Sequence, residues 1–369
     1  MTPLDPASPP ARLVEAILAP QALATLDLAA WEPLLACARR NAVLAYLAQR
    51  AEAAGVTEEL PPAPRAALHS ARLGAARLTQ LARFELDRVR RALAPAAIPL
   101  IALKGAAYLV RGMPHASTRI MSDIDVMVPK DRIDEAERAL LAAGWEGTKL
   151  HPYDQKFYRQ WSHELPPLQH PGRLLAVDVH HTICAPVSRL RPDPAAFWAR
   201  AVPSATEGVR VLSPVDSVLH AAVHLFYGAD FDGRFRDLID LHEMFVAFGT
   251  ADGFWPQLVD VARAQGLERP LHYACATCAA VLRTPMPEDM TAALARDAAP
   301  PWPVGPWMRE TFATLLAPVD ARRWPPEHRA QLWLMYVRSH WLRMPPHLLI
   351  PHLARKSLRR ASAAISHQL

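Results

Sequence analysis

Ser122-Asp123-Ile124-Asp125-Val126-Met127-Val128 sets two carboxylates two residues apart in an otherwise apolar, β-branched run. On a strand, residues i and i+2 project from the same face. Asp123 and Asp125 therefore stand side by side, while Ile124, Val126 and Val128 supply strand propensity and core contacts. Two like charges about 4 Å apart repel by roughly 4 kcal/mol at an effective dielectric of about 20. A shared proton, a basic side chain or a divalent cation must offset that repulsion. An all-oxygen donor set suits Mg²⁺, which takes one or two carboxylates together with substrate phosphates. The stretch points to phosphoryl or nucleotidyl transfer.

Its neighbours sharpen this reading. Upstream, Ala97-Ile98-Pro99-Leu100-Ile101-Ala102-Leu103 reads as a strand that runs directly into Lys104-Gly105-Ala106-Ala107-Tyr108-Leu109-Val110-Arg111-Gly112, a helix closed by glycine. A strand, a glycine and a helix start make an anion seat, because the backbone can come close and the free N–H groups favour phosphate. Arg119, four residues before Asp123, is placed to add a guanidinium. Downstream, Leu174-Leu175-Ala176-Val177-Asp178-Val179-His180 is a second apolar strand broken by one carboxylate. Asp178 and His180 share a face there, so a third carboxylate is available to the first two. For His180 itself a hydrogen-bonded core position is the simpler expectation, and His181 faces the other way.

The segments LKGAAYLVRG (103–112), RIMSDIDVMV (119–128) and VDVHHTI (177–183) resemble the bacterial nucleotidyltransferase family within the DNA polymerase β-like nucleotidyltransferase superfamily. The resemblance covers roughly positions 95 to 185. It implies an α+β fold: a small mixed-sheet nucleotidyltransferase core flanked by N-terminal and C-terminal helical regions. It implies that Asp123 and Asp125 bind two Mg²⁺ ions with a nucleoside triphosphate, expected to be ATP. Asp178 would complete one metal site and stands where the superfamily places its acceptor-activating carboxylate. Lys104, Gly105, Ala106, Arg119 and Ser122 would lie along the triphosphate. A nucleoside monophosphate would pass to an acceptor with release of pyrophosphate. Where the superfamily commonly has Gly-Ser at the phosphate turn, this chain has Gly105-Ala106. The missing hydroxyl makes Lys104 the candidate to compensate, one of only five lysines among 41 basic residues.

Composition frames the core. With 369 residues, 51% apolar and 21% charged, the chain can bury a sizeable core, and a disordered or fibrous reading is excluded. A net charge of +5 is mild, and no dense Lys/Arg stripe with interleaved aromatics marks a nucleic-acid track. The acceptor is not readable: a small molecule, a peptide, a carbohydrate or a protein side chain all remain open, and nucleic acid is not suggested. Cys37, Cys184, Cys275 and Cys278 do not make a disulfide framework. Cys275 and Cys278 have x-x spacing but lie in an alanine-rich helical run, where core packing is the expectation. The first residues carry no basic and apolar leader pattern, and no run is long and apolar enough to span a membrane. A cytoplasmic protein is expected.

Three regions follow along the chain: helical residues 1–94, the nucleotidyltransferase core over 95–212, and helical residues 213–369. Residues 1–10 read as a loose proline-rich start. Asp131 is expected to cap a helix running through Ala143 and closing on Gly144, after which Trp145 opens a less regular segment suited to lining an acceptor cleft. Ser213-Pro214 marks a helix start. Beyond it, His220 and His224 share a helix face, and Asp237 and Asp240 lie three apart on the next helix. These four residues suit buried inter-helix hydrogen bonds first, substrate contact second and a separate metal site third. Residues 284–306 read as a proline-rich connector. The C-terminal Leu353–Arg360 stretch reads as the end of a packed helix and a solvated basic tail rather than a membrane contact. Two rival functions stand beside the transferase: a non-catalytic nucleotide-binding or assembly module on the same fold, favoured by Ala106, and a metal-dependent phosphohydrolase using His220, His224 and Asp237.

Overall fold

Ile124, Val126, Val177 and Val179 are fully buried, and the two segments that carry them are the central strands of the molecule. The computed structural model describes residues 5–148, 151–320, 326–351 and 353. One mixed sheet contains β1 (Ile101–Ala102), β2 (Asp123–Met127), β3 (Glu146–Gly147), β4 (Leu168–Gln169), β5 (Ala176–His180), β6 (Val202–Pro203) and β7 (Arg210–Val211). Its spatial order is β3-β4-β5-β2-β1-β7-β6. β2 runs parallel to β5, β1 runs parallel to β7, and the remaining pairs are antiparallel. The expected α+β architecture with a small mixed sheet is therefore the observed one.

Helices precede, connect and follow the strands. α1 (Pro9–Leu18), α2 (Leu28–Arg40), α3 (Leu44–Ala53) and α4 (Pro62–Leu93) come first. α5 (Lys104–Arg111), α6 (Ile133–Ala142), α7 (Pro152–Trp161) and α8 (Pro194–Arg200) lie between strands. α9 (Pro214–Phe226), α10 (Phe235–Phe248), α11 (Phe254–Ala264), α12 (Glu268–Leu282), α13 (Glu288–Ala298), α14 (Val304–Leu315) and α15 (Pro326–Arg343) complete the described chain. α4 buries Leu68, Ala75, Ala82, Leu86, Val89 and Leu93, a stripe at helical spacing that lies against α3, α5, α6 and β2. The buried apolar side chains form one contiguous cluster from Leu13 to Met335, so the helices on both sides pack on the sheet.

Several local expectations need correction. The run 97–103 pairs as a strand only at Ile101 and Ala102, because Ala97 turns the chain at φ +50° and Pro99 has no N–H to give a ladder. Residues 9 and 10 are already helical, with Ser8 Oγ accepting from Ala11 N at 3.4 Å. Asp131 lies in a 3₁₀ turn before α6 instead of capping it, though Gly144 does take the left-handed conformation, at φ +99°. The segment after Trp145 contains helix α7, and Trp145 is a core residue whose indole Nε1 donates to Glu85 Oε1 at 2.9 Å. Residues 284–306 hold α13. Ser213-Pro214 starts α9 as expected, with Ser213 Oγ accepting from Asp216 N at 3.2 Å. The basic stretch 354–360 lies outside the described residues.

Candidate active site

Register brings the carboxylates together. Asp125 stands opposite Asp178 and Asp123 opposite Ala176 on the parallel β2–β5 pair, so all three aspartates project from one face of two adjacent strands. The opposite face carries Ile124, Val126, Val177 and Val179 into the core. A one-residue slip would exchange the two faces, which fixes the register strongly.

Asp125 is 4% exposed and is held from two sides. Lys104 Nζ donates to its Oδ1 at 2.6 Å, and His180 Nε2 lies 3.0 Å from the same oxygen. Burial alone would raise the carboxyl, but Lys104 and then His180 hold it well below the usual carboxylate range. An ionised carboxylate only accepts, so His180 Nε2 carries the hydrogen. Asp123 and Asp178 shift the other way. Burial and then the charge of Asp125 raise Asp123. Burial, Asp125 and Glu164 push Asp178 up to about 7. Asp178 Oδ1 is also a buried oxygen with no hydrogen-bond partner.

That orphaned oxygen, within an all-carboxylate set, fits a divalent cation of the hard, oxygen-binding class. The three aspartates share a face without converging on a single point. Among the described residues the only metal-capable group with ligand atoms all within 4.8 Å of one another is His163, Glu164 and His180. Lys104 and His180 hold Asp125 Oδ1.

The turn at Lys104–Gly105 is shaped by strain and close approach. Lys104 opens α5 in the left-handed region at φ +44°, rare for a residue with a side chain. A Cβ on Gly105 would stand 2.8 Å from Met121 Sδ and 2.9 Å from Arg119 Nη1, so only glycine fits without movement. Ala106 is buried at 2% exposure. Ser122 is exposed at the edge of β2, and its carbonyl accepts from Ala176 N at 3.3 Å.

Arg119 is committed on two sides. Its Nε donates to Asp240 Oδ2 at 2.9 Å and its Nη2 to Asp237 Oδ1 at 3.1 Å, while Nη1 lies beside Gly105. Arg234 Nη1 also donates to Asp237 Oδ2 at 2.6 Å. This buried network docks α10 onto the segment entering β2. The separate metal site, the third reading for His220, His224, Asp237 and Asp240, is not assembled among the described residues: both aspartates pair with arginine instead. His220 and His224 sit with their ring centroids 6.5 Å apart. Both titrate below the usual range because of burial first and the charge of Lys104 second, His220 at about 3. Cys275 and Cys278 are buried on α12, as expected of core residues.

His163 and Glu164 escaped the sequence reading. Their signal was a His-Glu pair just before Leu165, where the chain rejoins the sheet: Leu165 N donates to Val179 O and His181 N to His163 O, both at 2.9 Å. No described helix is long and apolar enough to cross a membrane.

Comparison with curated proteins and with solved structures gave no match. A family described as uncharacterised nucleotidyltransferase matches residues 27–283, a span that includes every strand and the helices α2 to α12.

Proposed function

This chain belongs to the family of uncharacterised nucleotidyltransferases, and we propose that it transfers a nucleoside monophosphate from a triphosphate, ATP in the first instance, to an acceptor nucleophile. The observation that carries this is the β2–β5 register, which sets Asp123, Asp125 and the orphaned Asp178 on one sheet face beside the Lys104–Gly105 turn. When bound, two Mg²⁺ ions would supply charge neutralisation at the triphosphate and acidify the acceptor. Asp123 and Asp125 would hold ions, and Asp178 would complete one of their sites.

The chain's own groups then do the positioning. The free N–H groups at the start of α5 favour a phosphate, and Gly105 lets it approach the backbone. Lys104 would exchange its carboxylate partner for phosphate oxygens when a cation takes its place at Asp125. The acceptor oxygen attacks the α-phosphorus, the bond to pyrophosphate breaks, and the acceptor proton passes to Asp178. Arg119 acts mainly through its hold on α10, with Nη1 alone facing the turn. The absence of a hydroxyl at Ala106 leaves Lys104 as the side chain nearest that role.

Incubation with α-labelled nucleoside triphosphates, Mg²⁺ and fractionated small-molecule, peptide, carbohydrate and protein acceptors tests this. Label transfer with stoichiometric pyrophosphate, lost in Asp178→Asn, is expected. Nucleotide binding without pyrophosphate release under any acceptor would instead mark a non-catalytic module.

A further inference from the structure

His180 has two ring nitrogens with different fates. Nε2 donates to Asp125, which leaves Nδ1 buried, without a hydrogen-bond partner, and facing Glu164 Oε2 at 3.4 Å. His163 Nε2 approaches the same Glu164 oxygen at 3.6 Å. A lone pair on Nδ1 would repel the carboxylate it faces unless a proton or a metal ion lies between them. Backbone pairing holds the group in place: Glu164 and His180 form an antiparallel bridge, so their side chains leave the sheet on the same side.

We propose that His163, Glu164 and His180 form a second metal site, selective for a Zn²⁺-class transition ion and distinct from the carboxylate site for Mg²⁺. Two imidazoles and one carboxylate suit a borderline ion such as Zn²⁺ rather than Mg²⁺. Ligand bonds of about 2.1 Å at a tetrahedral centre give ligand–ligand edges of about 3.4 Å. The observed 3.4 and 3.6 Å edges match that size, and all three donor atoms fall within 4.8 Å of one another. Three protein ligands leave the fourth position open, and each ligand side chain beyond His180 is partly exposed, at 24% for His163 and 22% for Glu164.

The second ring nitrogen completes the arrangement. A metal-bound histidine typically donates its other N–H to a carboxylate, which fixes the tautomer and the ring. Here that carboxylate is Asp125, itself a candidate Mg²⁺ ligand. A bound transition ion would thus orient Asp125 through His180 and couple the two sites. Lys104 and Arg343 bring positive charge toward His163, and the Glu164 carboxylate, 3.6 Å from its Nε2, opposes it.

The test uses the full chain without an affinity tag, stripped of metal and free of nucleotide, so it does not depend on the transferase reading. Co²⁺ is titrated against a competing chelator while visible absorption is followed. One tight equivalent with the intense bands of four- or five-coordinate cobalt is expected. It should weaken at least about a hundredfold in His163→Ala and in Glu164→Gln, since loss of a ligand costs no less than loss of its supporting partner. It should persist in Asp123→Asn and Asp178→Asn. Circular dichroism checks that the variants fold, and X-ray absorption on the Zn²⁺-loaded wild type reads the shell directly, with two imidazoles expected. An all-oxygen shell, binding unchanged in His163→Ala, or binding lost in Asp178→Asn but kept in His163→Ala would overturn the proposal.

Discussion

Lys104 holds Asp125 from a backbone conformation that lysine seldom adopts, at a cost of about 1–2 kcal/mol. Its ion pair with Asp125 offsets that strain. Replacing Lys104 with Met leaves a buried carboxylate with only the His180 hydrogen bond, and in metal-free buffer should cost about 3–5 kcal/mol in urea unfolding. Added Mg²⁺ should restore more stability to this variant than to the wild type. An equal response in both proteins would mean that Asp125 does not meet the ion. Gly105→Ala is the complementary change. Its methyl must displace Met121 and an Arg119 side chain already held by two aspartates, so roughly 1–3 kcal/mol of overpacking cost is expected. Nucleotide affinity should fall at least tenfold, read by calorimetry on the folded variant. Unchanged affinity would place the triphosphate elsewhere.

At the scale of elements, α10 is locked to the approach of β2 by Arg119, Asp237 and Asp240. Arg119→Met leaves the buried Asp240 without its arginine, while Asp237 keeps Arg234, and should destabilise the protein by about 3–5 kcal/mol without any nucleotide present. A side chain needed only for phosphate would leave that stability unchanged. Acid should loosen the same lobe. His220 titrates at about 3 in the folded chain, against about 6.5 for an unfolded histidine, so the unfolded chain takes up the proton first. Its contribution is complete above about pH 6.5 and is lost as pH falls toward 3, amounting to roughly 2 kcal/mol by pH 5. Asp237, held below its ordinary range by its arginines against the effect of burial, adds a loss in the same direction below about pH 4. Urea midpoints in chelator at pH 7 and pH 5 should differ less in His220→Asn than in the wild type, and equal differences would contradict this. The strand pair was legible because a carboxylate inside a β-branched run is costly to bury unless a positive charge meets it. The helix α13 was not, because the prolines around residues 287 and 300 looked like a connector when they punctuate a helix at both ends. The destination of Arg119 was hidden for another reason. Its partners lie 118 and 121 residues away, and nothing local in the sequence encodes that meeting.

Across the whole molecule, the family match ends at residue 283 but the packing does not. Phe312 of α14 sits edge-on to Phe226 of α9, with ring centroids 4.9 Å apart, and 4.8 Å from Tyr273 of α12. Each large side chain uncovered there forfeits about 1.5–3 kcal/mol. A chain cut after residue 283 should therefore aggregate or melt well below the full protein, and an unchanged melting temperature would show the last helices to be an independent appendage. The central claim remains the carboxylate face formed where β2 meets β5. The measurement that reaches it without knowledge of the acceptor is calorimetric binding of each of the four nucleoside triphosphates, with and without Mg²⁺. It compares the wild type with a folded Asp123→Asn/Asp125→Asn variant. Binding of one nucleotide that requires Mg²⁺ and disappears in the variant is the predicted result. No binding to the wild type, or binding indifferent to both metal and mutation, would contradict a donor site on this sheet face.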